Sequence, residues 1–152
     1  MTTAHRATVA VLGGGPAGAS AALELARLGI DTLLIEQTDG SGNPIGECLA
    51  PSANPLLRAL GLEDVLRQTN ALPSYGNRSR WGNGGTLDER GFLRDPHGHG
   101  WHLDRPAFNR ALLDRVEAAG VSVLRNHRVS AIERVTGGWR LVAIPLEGRS
   151  II

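Results

Sequence analysis

The sequence predicts an α/β fold in which a parallel sheet is accompanied by a flanking, β-rich segment. An apolar, β-branched run over residues 7–12 ends in three glycines, as a buried parallel strand does. Residues 16–28 combine alanine, leucine and glutamate with no helix breaker after Gly18, and Gly29 closes them as a C-terminal cap. Residues 31–36, "DTLLIE", return to strand character. A strand, a helix and a strand within about 30 residues make a βαβ unit with a right-handed crossover.

The rest of the chain predicts shorter elements. Residues 37–55 are so rich in glycine, proline, serine and asparagine that we expect no regular structure there, and a loop of this length is usually functional. Two short helices should follow, the first with Ser52 or Asn54 as its N-cap. The further elements are two or three strands within 74–104, a helix over 105–120 capped by Asp104, a parallel strand over 121–126, and a hairpin of 128–135 with 139–146.

Composition excludes several classes of function. The 152 residues carry 16 basic and 15 acidic side chains, a net charge of +1, so no global field favours nucleic acid or an acidic membrane. All 16 basic residues are arginine, which excludes lysine nucleophiles and Schiff-base chemistry. Cys48 is the only cysteine, so an internal disulfide is impossible, which fits a reducing compartment. With neither a signal-peptide pattern nor a membrane-length apolar run, we expect a cytoplasmic protein.

The glycine turn carries the clearest chemical signal. The motif G-x-G-x-x-G lies between a strand and a helix and consists of Gly13, Gly15 and Gly18. Such a motif makes a tight turn, after which the free amides of the helix face a pyrophosphate. Glu36 ends the second strand, where a carboxylate accepts hydrogen bonds from a ribose diol and repels a 2′-phosphate. The sequence therefore predicts a dinucleotide site, and the full set of residues assigned to it here is Gly13, Gly15, Pro16, Ala17, Gly18, Glu36 and Gln37.

Three stretches resemble one family. "VLGGGPAGASAALELARLG" followed by "LLIE" is similar to the FAD fingerprint of the flavoprotein monooxygenases related to p-hydroxybenzoate hydroxylase, which include flavin-dependent halogenases and geranylgeranyl reductases. "IGECLAPSANPLLRALGL" resembles the G-E-x-L-x-P segment of the halogenase-like branch, and "GWHLDRPAFNRALLDRVEAAGV" resembles the arginine-led helix. The resemblance implies a Rossmann-like FAD-binding domain. It places Gly46, Glu47 and Cys48 near the flavin, Arg105 at the ribose and phosphates, and the backbone of Val129 at the adenine.

Details of the resemblance narrow the expected activity. "SYGNRSRWG" with "GWHLDR" is most similar to flavoproteins that oxidise peptidyl tryptophan. Halogenases carry a lysine before the arginine-led helix, and its absence here argues against halogenation. Asn43 and Pro44 stand where an arginine commonly precedes I-G-E. The resemblance implies FAD as cofactor, NAD(P)H as electron donor, and a small-molecule or peptidyl aromatic substrate.

The resemblance also implies that the chain is incomplete. Relatives carry a second FAD segment with a G-D pair beyond this length, and no G-D pair occurs here. We therefore expect residues 1–152 to form the amino-terminal portion of a single FAD-binding domain, completed by a carboxy-terminal part or a second chain. Three functions remain open: a monooxygenase that hydroxylates an aromatic substrate, a geranylgeranyl-reductase-like flavin reductase, and a non-catalytic dinucleotide-binding fragment. No residue is assigned as a catalytic acid or base.

Three further features admit two interpretations each. Cys48 could form a flavin adduct or redox partner, but a small residue packed in a tight loop is the favoured interpretation. His97, His99 and His102 could suggest a metal site, but their spacings do not put all three on one face, so we expect no metal. Trp81 and Trp101 could line an aromatic substrate pocket, although packing is favoured.

Overall fold

A computed structural model describes residues 4–38, 47–82 and 85–146. These residues divide into two compact units. The parallel-sheet unit comprises residues 4–38 and 109–146, and the inserted unit comprises residues 47–82 and 85–108. Each unit has its own sheets.

The parallel-sheet unit is built on the predicted βαβ element. Strand β1 (Val9–Leu12), helix α1 (Pro16–Arg27) and strand β2 (Thr32–Ile35) confirm the predicted order to within two residues at each end. The two strands pair in parallel, with Val9 opposite Thr32 and Leu12 opposite Ile35. β2 is buried throughout, and the fully buried Ala19 and Ala22 lie on α1, which packs on both strands.

The inserted unit holds antiparallel sheet and two short helices. Its helices are α2 (Ala53–Ala59) and α3 (Glu63–Gln68), as the sequence predicted. One sheet has the order β3-β7-β4, and the other is the pair β5-β6. The strands are β3 (Glu47–Leu49), β4 (Leu72–Ser74), β5 (Gly76–Ser79), β6 (Asp88–Gly91) and β7 (Gly100–Leu103). Buried apolar side chains, among them Val65, Leu66 and Phe92, form its core.

One expectation for residues 37–55 was wrong. Regular structure does occur there, because β3 pairs with β7 and α2 begins at Ala53. Local composition did not reveal β3, because this strand forms by pairing with β7, more than fifty residues further along the chain. Ser52 takes the N-cap position of α2, which is one of the two predicted alternatives, but it makes no side-chain cap hydrogen bond. Asn54 instead donates its amide hydrogens to the carbonyl oxygens of His97 and His99 at 2.8 and 2.9 Å.

The last part of the chain completes the parallel sheet. Helix α4 (Arg105–Ala118) begins where Asp104 Oδ1 accepts the Ala107 amide at 3.0 Å, which confirms the predicted cap. Strand β8 (Ser122–Leu124) pairs in parallel with β2, giving the order β1-β2-β8. Strands β9 (His127–Val135) and β10 (Gly138–Pro145) form the predicted hairpin, and Gly137 at its turn has a φ of +86°.

Arg125 fixes the turn between β8 and β9. Its guanidinium bonds Asp114 Oδ1 at 2.7 Å and both carboxylate oxygens of Glu117 at 3.1 and 2.9 Å, so α4 is tied to this turn. Burial alone would lower the pKa of Arg125, but the two carboxylates outweigh it and raise that pKa above its ordinary value. Arg125 therefore stays charged and holds the start of β9 in place. Among the helices of the described ranges, none has the length and apolarity to cross a membrane.

Candidate nucleotide-binding site

The glycine turn joins β1 to α1 with a different role at each glycine. Gly13 has a φ of +97°, a conformation that favours glycine over any other residue. A Cβ added to Gly18 would collide with the carbonyl oxygen of Gly13, so helix and turn approach closely only because Gly18 has no side chain. A Cβ added to Gly15 would meet no atom within 4 Å, so the backbone there faces open space. The turn has the geometry that the motif predicts, while its contact with a ligand stays a prediction.

The first turn of α1 suits an anion. Pro16 begins the 12-residue helix and Gly15 is its N-cap, with no side-chain cap hydrogen bond and no acidic residue in that turn. The first amides of a helix lack intrahelical partners, which leaves the amides of Ala17 and Gly18 available, and the helix dipole adds positive potential. This end of α1 can therefore accept a phosphate group without competition from a carboxylate in that turn.

The Glu36 carboxylate lies beside the glycine turn. Its Oε2 accepts the Gly14 amide at 2.5 Å, and its Oε1 accepts both the amide and the hydroxyl of Thr38 at 2.8 Å. A carboxylate offers about four acceptor positions, so three are filled and one remains for a ligand hydroxyl. Sequence reasoning found Glu36 but missed Gly14 and Thr38.

Gly14 is a tight packing position. A Cβ at Gly14 would lie 2.5 Å from Leu113 Cδ2 and 3.2 Å from Glu36 Cβ, so a side chain would push both away. The middle glycine of "GGG" was the signal for this, since the dinucleotide pattern itself requires only Gly13 and Gly15 there.

A cavity of about 270 Å³ lies at the carboxyl ends of β1 and β2. This volume is below that of sites for drug-sized ligands and suits a nucleoside better than a whole dinucleotide. The structure thus brings together sequence-predicted residues from the turn, from the end of β2 and from β9. The lining residues are Leu12, Gly13, Ile35, Glu36, Gln37, His127, Arg128 and Val129.

A β-bulge lies beside Val129 in the cavity wall. Val142 pairs with Ala131, and the next residue, Ala143, pairs with Val129, so Ser130 is an extra residue in β9. The Ser130 hydroxyl donates to the Val142 carbonyl at 3.2 Å. A bulge interrupts the regular ladder and re-aims backbone groups. Val129, which the resemblance places at the adenine, therefore stands where the ladder is broken; its contact with a base stays a prediction.

The inserted unit brings Glu47 and Arg105 together, which the sequence did not predict. Glu47 Oε2 on β3 forms an ion pair with Arg105 Nη1 at the start of α4. The Arg105 side chain is 15% exposed and that of Glu47 is 52% exposed, so the arginine is held while one face of the carboxylate meets solvent. The contact of Arg105 with ribose and phosphates stays a prediction, and Gly46 lies outside the described residues.

Cys48 and His102 also form an unpredicted pair. They are register partners on β3 and β7, and Cys48 Sγ lies 2.9 Å from His102 Nδ1. The cysteine is exposed, so the favoured interpretation of a packed small residue does not describe its surroundings here.

The two tryptophans and the histidines near them differ in their surroundings. The His99 ring packs edge-on between Tyr75 and Trp101, with centroid distances of 5.7 and 4.5 Å. No group of three or more His, Cys, Asp or Glu side chains within residues 4–38, 47–82 and 85–146 is placed to hold a metal ion. Trp101 Nε1 donates to Asn54 Oδ1 at 2.7 Å. Trp81 is 84% exposed, so the favoured packing interpretation does not account for it.

Comparison with known proteins agrees with this geometry. The profile of a family described as "FAD binding domain" matches residues 6–142. A flavin-dependent halogenase of Metacordyceps chlamydosporia is 32% identical over 134 residues, covering 88% of this chain and 25% of that protein. The myxobacterial chondrochloren halogenase is 30% identical with a TM-score of 0.79, over 94% of this chain and 34% of that chain.

A solved structure of a peptidyl tryptophan dihydroxylase essential for tryptophylquinone cofactor biogenesis is 31% identical, with a TM-score of 0.66 over 93% of this chain and 30% of that one. The chain therefore spans about a quarter to a third of the length of these relatives. The structural likeness agrees with the parallel-sheet fold that the sequence indicated, and the family match spans the glycine turn. This chain belongs to the FAD binding domain family.

Proposed function

We propose that this chain binds the adenosine and pyrophosphate half of FAD. The pyrophosphate would lie against Gly15 and the first amides of α1, and the ribose would donate a hydrogen bond to Glu36. The observation that carries the proposal is the position of the Glu36 carboxylate, fixed by Gly14 and Thr38 at the wall of a nucleoside-sized cavity.

The residues present fit this group. The open face at Gly15 is space that a Cβ would fill, and a phosphate oxygen can approach the backbone there. The one remaining acceptor position of Glu36 matches a ribose hydroxyl, whereas a 2′-phosphate would meet a carboxylate of like charge. The site therefore favours FAD over a 2′-phosphorylated dinucleotide.

A titration with halves of the cofactor tests this assignment. ADP should bind the 152-residue chain and displace FAD, because ADP contains the groups proposed to contact the cavity and the turn. FMN, which has the flavin but no adenosine, should displace FAD poorly. Isothermal titration calorimetry measures each ligand directly. Displacement of FAD by FMN but not by ADP would contradict the proposal.

For the complete protein we propose hydroxylation of an electron-rich aromatic substrate, a small molecule or a peptidyl tryptophan, with NAD(P)H as electron donor. Bound FAD supplies the oxidative chemistry, and the residues described here bind and orient it. Two observations support hydroxylation: the absence of any lysine from the chain, and the 31% identity with the peptidyl tryptophan dihydroxylase. A carboxy-terminal part or a second chain would complete the site in this proposal.

Halogenation is the second candidate, and the identity with flavin-dependent halogenases favours it. The two reactions differ in their product. The complete protein, given reduced flavin, dioxygen and a tryptophan-containing peptide with or without chloride, should add one oxygen atom whether or not chloride is present. Replacement of a hydrogen by chlorine, seen only with chloride, would establish halogenation instead.

A further inference from the structure

We propose that His127 makes the cavity specific for adenine by accepting a hydrogen bond from its 6-amino group. This inference rests on the proposed function, because it requires that the cavity holds the base of a nucleotide. It concerns a residue that neither the glycine motif nor the family resemblance singled out.

The tautomer of the neutral His127 ring is fixed by its neighbour. Its Nδ1 lies 2.7 Å from the backbone carbonyl oxygen of Arg125. A carbonyl oxygen only accepts hydrogen bonds, so Nδ1 carries the hydrogen and donates. In the neutral ring Nε2 is then a pure acceptor.

The Arg125 carbonyl is itself held in place. The Arg125 guanidinium is tied to Asp114 and Glu117 on α4, and the His127 amide donates to the carbonyl oxygen of Glu36 at 3.0 Å. Both sides of His127 are thereby anchored. The half-buried residue lines the cavity beside Val129, and Nε2 is the acceptor of its neutral ring.

The other polar side chains in the wall do not favour an amino group. Gln37 carries both a donor and an acceptor and can turn either one toward a base. Arg128 only donates. Three acceptor positions of Glu36 are filled, and the remaining one is the position proposed for the ribose hydroxyl. His127 therefore supplies the fixed acceptor that can distinguish one base from another.

Adenine and hypoxanthine differ at the atom that His127 would contact. Adenine has an amino donor at position 6, whereas hypoxanthine and guanine have a carbonyl acceptor there. A carbonyl would face the Nε2 lone pair, and moving the hydrogen to Nε2 would break the bond to the Arg125 carbonyl. We expect ADP to bind about tenfold more tightly than inosine 5′-diphosphate, the loss typical of an unmatched hydrogen-bonding group.

The test compares ADP and inosine 5′-diphosphate on the 152-residue chain by calorimetry. His127→Phe keeps a ring but removes the acceptor, so it should reduce the preference to about twofold or less, mainly by weakening ADP. The matched control is His97→Phe, the same change at an exposed loop residue of the inserted unit, which should keep the wild-type preference. An unchanged preference in His127→Phe would overturn the inference and leave the proposed function intact.

A second measurement needs no variant. Purine riboside 5′-diphosphate has only hydrogen at position 6, so the unmodified chain should bind it about tenfold more weakly than ADP. Equal binding of the two would overturn the inference even if His127→Phe did not fold. Failure of the unmodified chain to bind ADP at all would instead overturn the proposed function, and the inference with it.

Discussion

Two glycines of the turn should differ in their response to substitution by alanine. In Gly15→Ala the new Cβ meets no atom within 4 Å, and the φ of −67° is one that alanine adopts freely. The free chain should therefore change in stability by less than about 1 kcal/mol, because the restriction that alanine places on the unfolded state offsets its weaker preference for the N-cap position. In Gly18→Ala the methyl meets the backbone carbonyl of Gly13, which cannot rotate away as a side chain would.

The size of the contrast follows from these contacts. A methyl group that is forced against backbone atoms should destabilise the chain by about 3 kcal/mol, the upper end of the range for overpacking substitutions. The better helix propensity of alanine offsets about 1 kcal/mol of this, which leaves a net loss of about 2 kcal/mol. In a chain of this size such a loss lowers the melting temperature by roughly 4–8 °C.

Gly15→Ala should weaken the binding of FAD although it leaves the free chain folded. In Gly15→Ala the methyl would occupy the space through which a phosphate approaches, so at least one charge-assisted hydrogen bond is lost. That loss is about 1.5–3 kcal/mol, or roughly 10- to 150-fold in affinity. Thermal unfolding with and without FAD measures both effects, and Gly91→Ala, at another open position, is the control. Gly15→Ala with unchanged FAD affinity would refute the proposed approach of the phosphate.

Other residues carry further predictions. Glu36→Gln should weaken the binding of ADP at least about tenfold, because an amide accepts hydrogen bonds more weakly than a carboxylate and brings a donor toward the Gly14 amide. Wild-type affinity in calorimetry would contradict the proposed contact of Glu36 with the ribose. Arg125→Met should lower the free energy of unfolding in urea by about 1–2 kcal/mol, since the Arg125 side chain is 23% exposed and joins two carboxylates. The control is Arg140→Met, at an ion pair whose side chains are both more than 60% exposed. It should change the free energy of unfolding by less than about 0.5 kcal/mol. Because the Arg125 pKa is raised, its contribution should be full below the usual arginine pKa and be lost only as pH rises above it; loss near neutral pH would contradict this. Trp81→Ala should change the free energy of unfolding by less than about 0.5 kcal/mol, because Trp81 is exposed. Trp101→Phe should lower it by about 1 kcal/mol, because Asn54 Oδ1 loses its hydrogen-bond donor. Equal losses in urea unfolding would contradict these two environments.

Local patterns predicted the first third of the fold well. The strand, glycine turn, helix and second strand depend on neighbouring residues, so the positions of Gly13, Gly18 and Glu36 could be inferred from spacing alone. The Asp104 cap was found for the same reason, because it acts within three residues of itself. Short-range chemistry is what a single sequence reveals.

Contacts between distant residues could not be found in this way. β3 exists because Cys48 meets His102 across a pairing 54 residues apart, and that same pairing places Glu47 near Arg105. The bulge at Ser130 depends on the register of β9 against β10, which hydrophobic alternation does not specify to one residue. The anchoring of His127 needs both Arg125 and the end of β2.

The central claim is that this chain holds the adenosine and pyrophosphate half of FAD, and one measurement tests it most directly. Titration of FAD with the 152-residue chain should give saturable binding at one site, which ADP reverses and which Gly15→Ala weakens at least about tenfold. Binding that ADP leaves unchanged, or no binding by a folded chain, would contradict the claim.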